Sequence, residues 1–298
     1  MRRLLMIMIL VGLSACASHP RYPMQPGAAT RYPPDLPRGW SGRCDEPATA
    51  KQAAQLNAGS IDTLPVSPFG HVETGWRAYA PLTAFEVGAR CAIDTPGFAE
   101  ALARWKTAHG LAYDGAMDAR TLVVLKGAWQ ERRPFLMARV HKEPCPDPPG
   151  PDALIQIRPE ESHYGRPIQV RPEVLAAYRQ LVAAARRDLP ELSAEPILLT
   201  IFSGFRSPEY DQAQCEAQGG CNGVSRAGTC SAHRTGSAID IVIGAAPGAR
   251  VDTPSDANRT YLSETRLYQW LVFNAGRFGF VNYPFEPWHW EWTGVTTN

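Results

Sequence analysis

Two histidines and an aspartate in the second half of the chain are of the residue types that bind a divalent metal. His233 and Asp240 lie seven residues apart, and His289 lies near the carboxyl terminus. Imidazole and carboxylate are ligands of catalytic zinc, which keeps a further position open for water. In one straight strand His233 and Asp240 would face opposite sides, so we expect Gly236 to turn the chain between them. The spacing therefore predicts a bent segment that offers both side chains to one metal.

Two carboxylates flank His289, and either could take a proton from an attacking water molecule. Glu291 follows His289 by two residues and shares its face in an unbroken strand, whereas Glu286 precedes it by three. Pro287 can interrupt the strand before His289 and so bring Glu286 to the site as well, which leaves both carboxylates open as the general base on the residues alone. The same carboxylic acid could then return the proton to the leaving amine.

Three further side chains are candidates for contact with a substrate. Arg206 could stabilise an oxyanion, an interaction typically worth ~3–4 kcal/mol, or could be a structural ion-pair partner. Ser231 could bind substrate or could only shape a turn. Trp288 could line a substrate pocket or could simply pack in the core.

All of these residues fall in three short segments. The segments are SGFRS at 203–207, SAHRTGSAID at 231–240 and EPWHW at 286–290. The second segment contains the pattern SxHxxGxAxD, and the third contains the spacing ExxH. Together they resemble the zinc D-alanyl-D-alanine carboxypeptidase family, in the superfamily that also includes lysostaphin-type endopeptidases and the hedgehog signalling domain. The resemblance spans roughly residues 158–292.

The resemblance implies a zinc cofactor and a role for each residue. His233, Asp240 and His289 would bind zinc, Glu286 would be the catalytic base, and Arg206 would bind and polarise the substrate carbonyl. The implied substrate is the peptidoglycan stem peptide, and the favoured reaction removes its terminal D-alanine. An endopeptidase or an L,D-carboxypeptidase acting on the same polymer is the nearest alternative, since metal ligands do not set specificity. A wall-binding lipoprotein with structural zinc and no catalysis is another.

Two features depart from the family pattern. Relatives often carry Gln five residues after the arginine, whereas this chain has Asp211 there and Gln in the next position. The segment 215–230 is also rich in glycine and cysteine. Both departures leave the choice of substrate open, but all the candidate metal ligands are present.

The elements that would hold these residues alternate between helix and strand. Periodicity predicts helices at 172–189 and 261–273, and strands at 197–202, 238–243 and 288–292. We therefore expect an α+β fold for residues 158–298, with a small antiparallel sheet flanked by helices.

A small helical domain is expected before it, at residues 39–143. Thr95 and Asp118 can each cap a helix, and the two helices would form a hairpin. The stretch 98–122 resembles the peptidoglycan-binding domain found beside many wall hydrolases. Periodicity in residues 39–94 is too weak to assign elements there.

The amino terminus is typical of an exported lipoprotein. Two arginines precede an apolar run at 4–13, which is shorter than the ~18 residues of a spanning helix, so residues 1–15 are predicted to be a cleaved signal peptide. The sequence Leu-Ser-Ala-Cys before position 17 resembles a bacterial lipobox, which implies lipidation at Cys16. Residue 17 is Ala rather than Asp, which resembles the lipoproteins of diderm bacteria that move to the outer membrane. The resemblance implies a location on the periplasmic face of that membrane. Proline-rich residues 16–38 would form a tether, and residues 144–157 a linker.

Charge and cysteine content indicate which binding partners and which cysteine chemistry to expect. The 298 residues include 30 Lys and Arg and 29 Asp and Glu, which gives a net charge of +1. Because this charge would attract neither nucleic acid nor anionic lipid, we expect no nucleic-acid partner and attachment to a membrane only through the lipid on Cys16. Six cysteines other than Cys16 suit disulfides in an oxidising periplasm, with the pairing left open. A zinc cluster of cysteines 215, 221 and 230 with His233 is the rival interpretation of three of them.

Overall fold

The computed structural model describes residues 44–217 and 230–294. The amino-terminal part of this range is mainly helical, with one short hairpin of strands. Its elements are α1 (Lys51–Ser60), β1 (Pro65–Val66), β2 (Glu73–Thr74), α2 (Ala80–Glu86), α3 (Pro96–Ala108), α4 (Ala119–Glu131) and α5 (Pro134–Val140). Residues before position 44, which include Cys16 and the predicted signal peptide and tether, lie outside the described range.

The predicted helical hairpin forms for the expected local reasons. The Thr95 side chain accepts a hydrogen bond from the backbone N–H of Phe98 at the start of α3. Asp118 accepts one from the N–H of Thr121 at the start of α4. Each cap satisfies a backbone donor that the helix leaves without an internal partner, so the two helices begin where the sequence predicts.

The carboxyl-terminal part contains a four-stranded sheet with helices around it. Its elements are β3 (Ile155–Gln156), β4 (Gln169–Val170), α6 (Pro172–Asp188), β5 (Ile201–Ser203), α7 (Pro208–Ala217), β6 (Ala238–Ile241), α8 (Asp256–Glu264), α9 (Arg266–Asn274), β7 (Phe280–Tyr283) and β8 (Glu286–Trp292). The sheet order is β5-β6-β8-β7, and each neighbouring pair is antiparallel. The predicted α+β class is confirmed.

Two element predictions were partly wrong. The apolar run at 197–202 forms a strand only from Ile201, because Leu199 adopts a φ of 71°, which a strand does not allow. The single helix predicted at 261–273 is two helices. Thr265 has an extended backbone and its side chain caps α9, so the chain turns between α8 and α9.

Both parts of the chain contribute to one continuous hydrophobic core. Buried residues of the helical part, such as Trp76 and Leu122, belong to the same cluster as Trp270 and Phe280 of the carboxyl-terminal part. At the junction the rings of Phe69 and Phe285 lie 5.6 Å apart. Such shared burial holds the two parts in one fixed arrangement.

The described residues contain disulfides that join distant segments. Cys44 pairs with Cys91, and Cys145 pairs with Cys230. Cys215 is also disulfide-bonded. Since Cys215 and Cys230 are not free thiolates, the rival zinc cluster of cysteines with His233 is wrong. Within the described ranges, the helices are all too short or too polar to traverse a bilayer.

Candidate active site

His233 lies in a tight turn just before β6. Residues Ala232–Thr235 form one turn of 3-10 helix, and Gly236 follows with a φ of 71°. A side chain there would be strained and would also meet Leu154, so the expected bend depends on glycine. The Nδ1 of His233 lies 2.7 Å from the Gly204 carbonyl oxygen. Since a carbonyl can only accept, Nδ1 carries the hydrogen and Nε2 is left as an acceptor.

Strand pairing brings the other two candidate ligands together. Asp240 on β6 is directly opposite His289 on β8. One Asp240 oxygen lies 2.8 Å from His289 Nδ1, and the other lies 3.2 Å from His233 Nε2. The two ring nitrogens, His233 Nε2 and His289 Nδ1, are 3.2 Å apart. The three ligand atoms lie within 4.8 Å of one another and all three residues are buried, so they could hold a metal ion.

The electrostatics of this cluster favour positive charge at its centre. Burial would raise the pKa of Asp240, but the two histidines hold it well below its usual range, so the carboxylate is ionised. Burial would lower the pKa of His289, but its bonds to Asp240 and Glu291 raise that pKa to about 9. A buried anion between two imidazoles is the kind of site that a divalent cation satisfies.

The two candidate carboxyl bases occupy different surroundings. Burial raises the pKa of Glu286 to about 7, with His289 opposing the rise. Burial also acts on Glu291, but the hydrogen bond with His289 and the charge of Arg133 lower its pKa to about 2. Glu286 therefore exchanges a proton near neutral pH, whereas Glu291 is a permanently charged partner in an ion pair.

The pairing of β7 with β8 shifts in register next to Glu286. Asn282 of β7 pairs with Trp290 of β8, but the next residue, Tyr283, pairs with Glu286. The shift skips residues 287–289 of β8, and these include Pro287, whose lack of an N–H interrupts regular pairing. Glu286 lines the same cavity as His233, Asp240 and His289.

Arg206 and Ser231 are linked by a residue that sequence reasoning treated only as a departure. Asp211 on α7 is fully buried; one of its oxygens lies 3.2 Å from Arg206 Nε, and the other accepts a 2.6 Å bond from the Ser231 hydroxyl. Arg206 also lines the cavity and is partly exposed to it. The only sequence signal for Asp211 was its position five residues after Arg206, where an acidic residue can face back on the arginine.

The candidate residues open into a large cavity between the two parts of the chain. Its volume is about 1540 Å³, and its lining includes Arg206, Ser231, Trp288 and the metal-binding cluster. Trp288 is buried, so it contributes both to the core and to the cavity wall. The helical part supplies the opposite wall, including Phe69, Lys126 and Arg133. Sequence reasoning placed no site residue in the helical part.

Residues 167–295 match the sequence model of the VanY family, described as D-alanyl-D-alanine carboxypeptidase. A comparison with curated protein sequences returned no significant match. Among solved structures, the chain is similar to a zinc-bound mutant of the vancomycin resistance D,D-pentapeptidase VanY from a VanB-type resistance cassette, with 24% identity and a TM-score of 0.31. That similarity covers 52% of this chain and 85% of the other. Through residues 167–295 the chain is a zinc metallopeptidase similar to the D-alanyl-D-alanine carboxypeptidases.

Proposed function

We propose that this protein hydrolyses peptidoglycan stem peptides and that its main reaction is removal of the terminal D-alanine. The observation that carries the proposal is the convergence of three buried metal-ligand atoms with Glu286 and Arg206 on one cavity. A structural zinc site needs neither a neighbouring base nor a cavity-facing arginine. The family match of residues 167–295 supports the same class of substrate.

The metal-binding residues of the proposal are His233, Asp240 and His289. Their donor set of two imidazoles and one carboxylate fits zinc in a catalytic site with an open position. Zinc bound there would polarise the scissile carbonyl and make a water molecule more acidic. The bond from His233 Nδ1 to the Gly204 carbonyl keeps His233 in the tautomer that can bind metal through Nε2.

Glu286 is the proposed general base and acid. Its carboxylate takes a proton from the attacking water as the new C–O bond forms at the peptide carbonyl. It then delivers that proton to the leaving amine as the C–N bond breaks, so each turnover consumes one water molecule. Burial raises the pKa of the Glu286 carboxyl, which favours its action as an acid, whereas a zinc ion bound nearby would lower that pKa and favour its action as a base.

Arg206 is proposed to stabilise the negative charge that develops on the carbonyl oxygen. Its guanidinium is held by Asp211, which Ser231 in turn holds, so the group is oriented before substrate arrives. Ser231 thereby acts on the site through Asp211, in addition to its place in the cavity wall. Trp288 is proposed to form the apolar part of the pocket for the terminal alanine.

The proposal also includes a place for the protein at the cell wall. Cys16 would carry the lipid, residues 16–38 would span the gap from the periplasmic face of the outer membrane, and the helical part would contact peptidoglycan. Support comes from the sequence of the amino terminus and from the resemblance of residues 98–122 to wall-binding domains.

The test is mass spectrometry of purified muropeptides with pentapeptide or tetrapeptide stems, incubated with the zinc-loaded protein with and without a chelator. We expect loss of one D-alanine from the pentapeptide, and no loss in the presence of chelator. Cleavage of a cross-link or of the tetrapeptide would replace the carboxypeptidase assignment by an endopeptidase or an L,D-carboxypeptidase. Intact stems in every sample would contradict a peptidase function.

A further inference from the structure

A buried ion pair connects the helical part of the chain to the candidate metal site. Arg133, at the start of α5, donates two hydrogen bonds to one oxygen of Glu291 on β8, from Nε at 3.0 Å and from a terminal nitrogen at 2.6 Å. The two side chains are 9% and 4% exposed. Their positions in the chain differ by 158 residues, so the contact exists only because the two parts pack together.

The same oxygen of Glu291 contacts a candidate metal ligand. It lies 3.3 Å from Nε2 of His289, on the opposite side of the ring from the nitrogen that faces Asp240. Both ring nitrogens of His289 face carboxylates, Nδ1 that of Asp240 and Nε2 that of Glu291. If Nδ1 binds the metal, the remaining ring hydrogen is on Nε2, where the Glu291 carboxylate can accept it. Partners of this kind orient a ligand and affect metal affinity although they do not touch the metal.

Arg133 is itself held on several sides. Its other terminal nitrogen donates a 2.6 Å bond to the Gln130 side chain. Its guanidinium also stacks 4.1 Å above the ring of Tyr283, and that ring meets His289 edge-on with a centroid distance of 6.1 Å. These contacts hold the guanidinium in place, and its two bonds to one oxygen of Glu291 hold that oxygen toward His289.

We propose that Arg133 is a positioning residue of the metal site and acts through Glu291 on His289. The inference rests on the proposed metal-binding role of His289. It makes the helical part a component of the catalytic unit as well as a region that resembles a wall-binding domain. Arg133 lies outside residues 167–295, the range that contains Glu291 and the three candidate metal ligands.

The test compares zinc affinity, measured on the full chain by competition with a chromophoric chelator, among variants of Arg133 and its neighbour. Arg133→Met is expected to weaken zinc binding by about tenfold or more, as loss of such outer contacts typically does. Arg132→Met is the matched control, because Arg132 makes a 2.6 Å ion pair with Glu86 and does not line the cavity. The control is expected to change zinc affinity by less than about twofold.

Two further variants separate a positioning role from a general loss of structure. Arg133→Lys keeps the positive charge without the paired donors and is expected to bind zinc with intermediate affinity. In a chain already carrying Glu291→Leu, adding Arg133→Met is expected to cause no further loss, because the path through Glu291 is already broken. The absorption spectrum of the cobalt-substituted protein should shift in Arg133→Met and not in Arg132→Met, since it reports the ligands directly.

Zinc affinity for Arg133→Met equal to that of the unchanged chain would overturn the proposal. If Arg133→Met does not fold, the same result for Arg133→Lys would overturn it. Zinc affinity is measured without substrate, so the outcome is independent of whether stem peptides are cleaved. A chain that binds zinc normally but cleaves no stem peptide would contradict the proposed function and leave this inference to be judged by the variants.

Discussion

The two parts of the chain each bury a polar cluster, and the clusters are built on opposite principles. In the helical part, Lys106 is 1% exposed and its ammonium donates to Asp114, to Asp118 and to the carbonyl of Ala116. Every donor there meets an acceptor. In the carboxyl-terminal part, ring nitrogens of His233 and His289 that can bind metal face each other at 3.2 Å, beside a buried carboxylate.

This difference distinguishes a structural cluster from a functional one. Donors matched to acceptors satisfy one another and need nothing from outside the protein. Two imidazoles and a carboxylate that converge on one point can exchange a proton for a metal ion, which is why the second cluster fits a metal. The contrast is testable, because changes in the first cluster should affect stability alone and changes in the second should affect chemistry.

The largest effect on chemistry is expected from Glu286→Gln. The amide cannot accept a proton, so kcat should fall by about 10²–10⁴ while zinc content and the unfolding temperature stay close to those of the unchanged protein. The assays are muropeptide hydrolysis and metal analysis of the purified protein. Activity that survives this substitution would move the role of base to Glu291 and weaken the contrast between the two carboxyls.

A somewhat smaller effect on chemistry is expected from Arg206→Met. Loss of one oxyanion donor typically lowers kcat by about 10²–10³. Some loss of stability should accompany it, because the fully buried Asp211 keeps only the bond from Ser231, so kcat is measured at a temperature where the variant is folded. Asp211→Asn should lower kcat less, since it loosens the arginine without removing it. Steady-state kinetics on a synthetic stem peptide measure both. Equal activity of Arg206→Met and the unchanged protein would assign Arg206 to a structural ion pair.

Lys106→Met tests the prediction that the polar cluster around Lys106 is purely structural. It removes three hydrogen bonds from a buried ammonium, but Asp114 and Asp118 are about half exposed and can be hydrated instead. We expect the free energy of unfolding in urea to fall by about 1–3 kcal/mol, with kcat unchanged. A fall in kcat at unchanged stability would show that the helical cluster is not merely structural.

The smallest expected effect is a dependence of the free energy of unfolding on pH, caused by protonation of the Glu161 carboxylate. Burial would raise its pKa, but hydrogen bonds from Arg179 and Arg158 lower it from 4.5 to about 2. Because the pKa is lower in the folded state, the carboxylate stabilises the fold above about pH 4.5 and loses this contribution as the pH falls toward 2.

Urea denaturation of Glu161→Gln and of the unchanged protein at several pH values measures this contribution. The difference in stability between them should shrink steadily below about pH 4.5. A difference that is constant from pH 3 to pH 7 would contradict the assignment to Glu161.

Much of the fold could be predicted from local patterns. The caps at Thr95 and Asp118, and the turn at Gly236, depend on residues close to one another in the chain. The break at Thr265 escaped detection because the apolar stripe continues across it while the backbone turns. The positive φ of Leu199 likewise has no local signal, since any apolar run of that length is compatible with a strand.

The types of residue in the site could be identified along the chain: two histidines, carboxylates and an arginine lie in three segments whose spacing resembles that of a zinc peptidase family. How those groups are held depends on contacts between distant parts of the fold. The pairing of Cys145 with Cys230, the contact of Asp211 with Ser231, and the ion pair of Arg133 with Glu291 join residues 20 to 158 positions apart. Such contacts arise from the packing of a shared core, and no periodicity or capping rule encodes them, because those rules describe only neighbours along the chain.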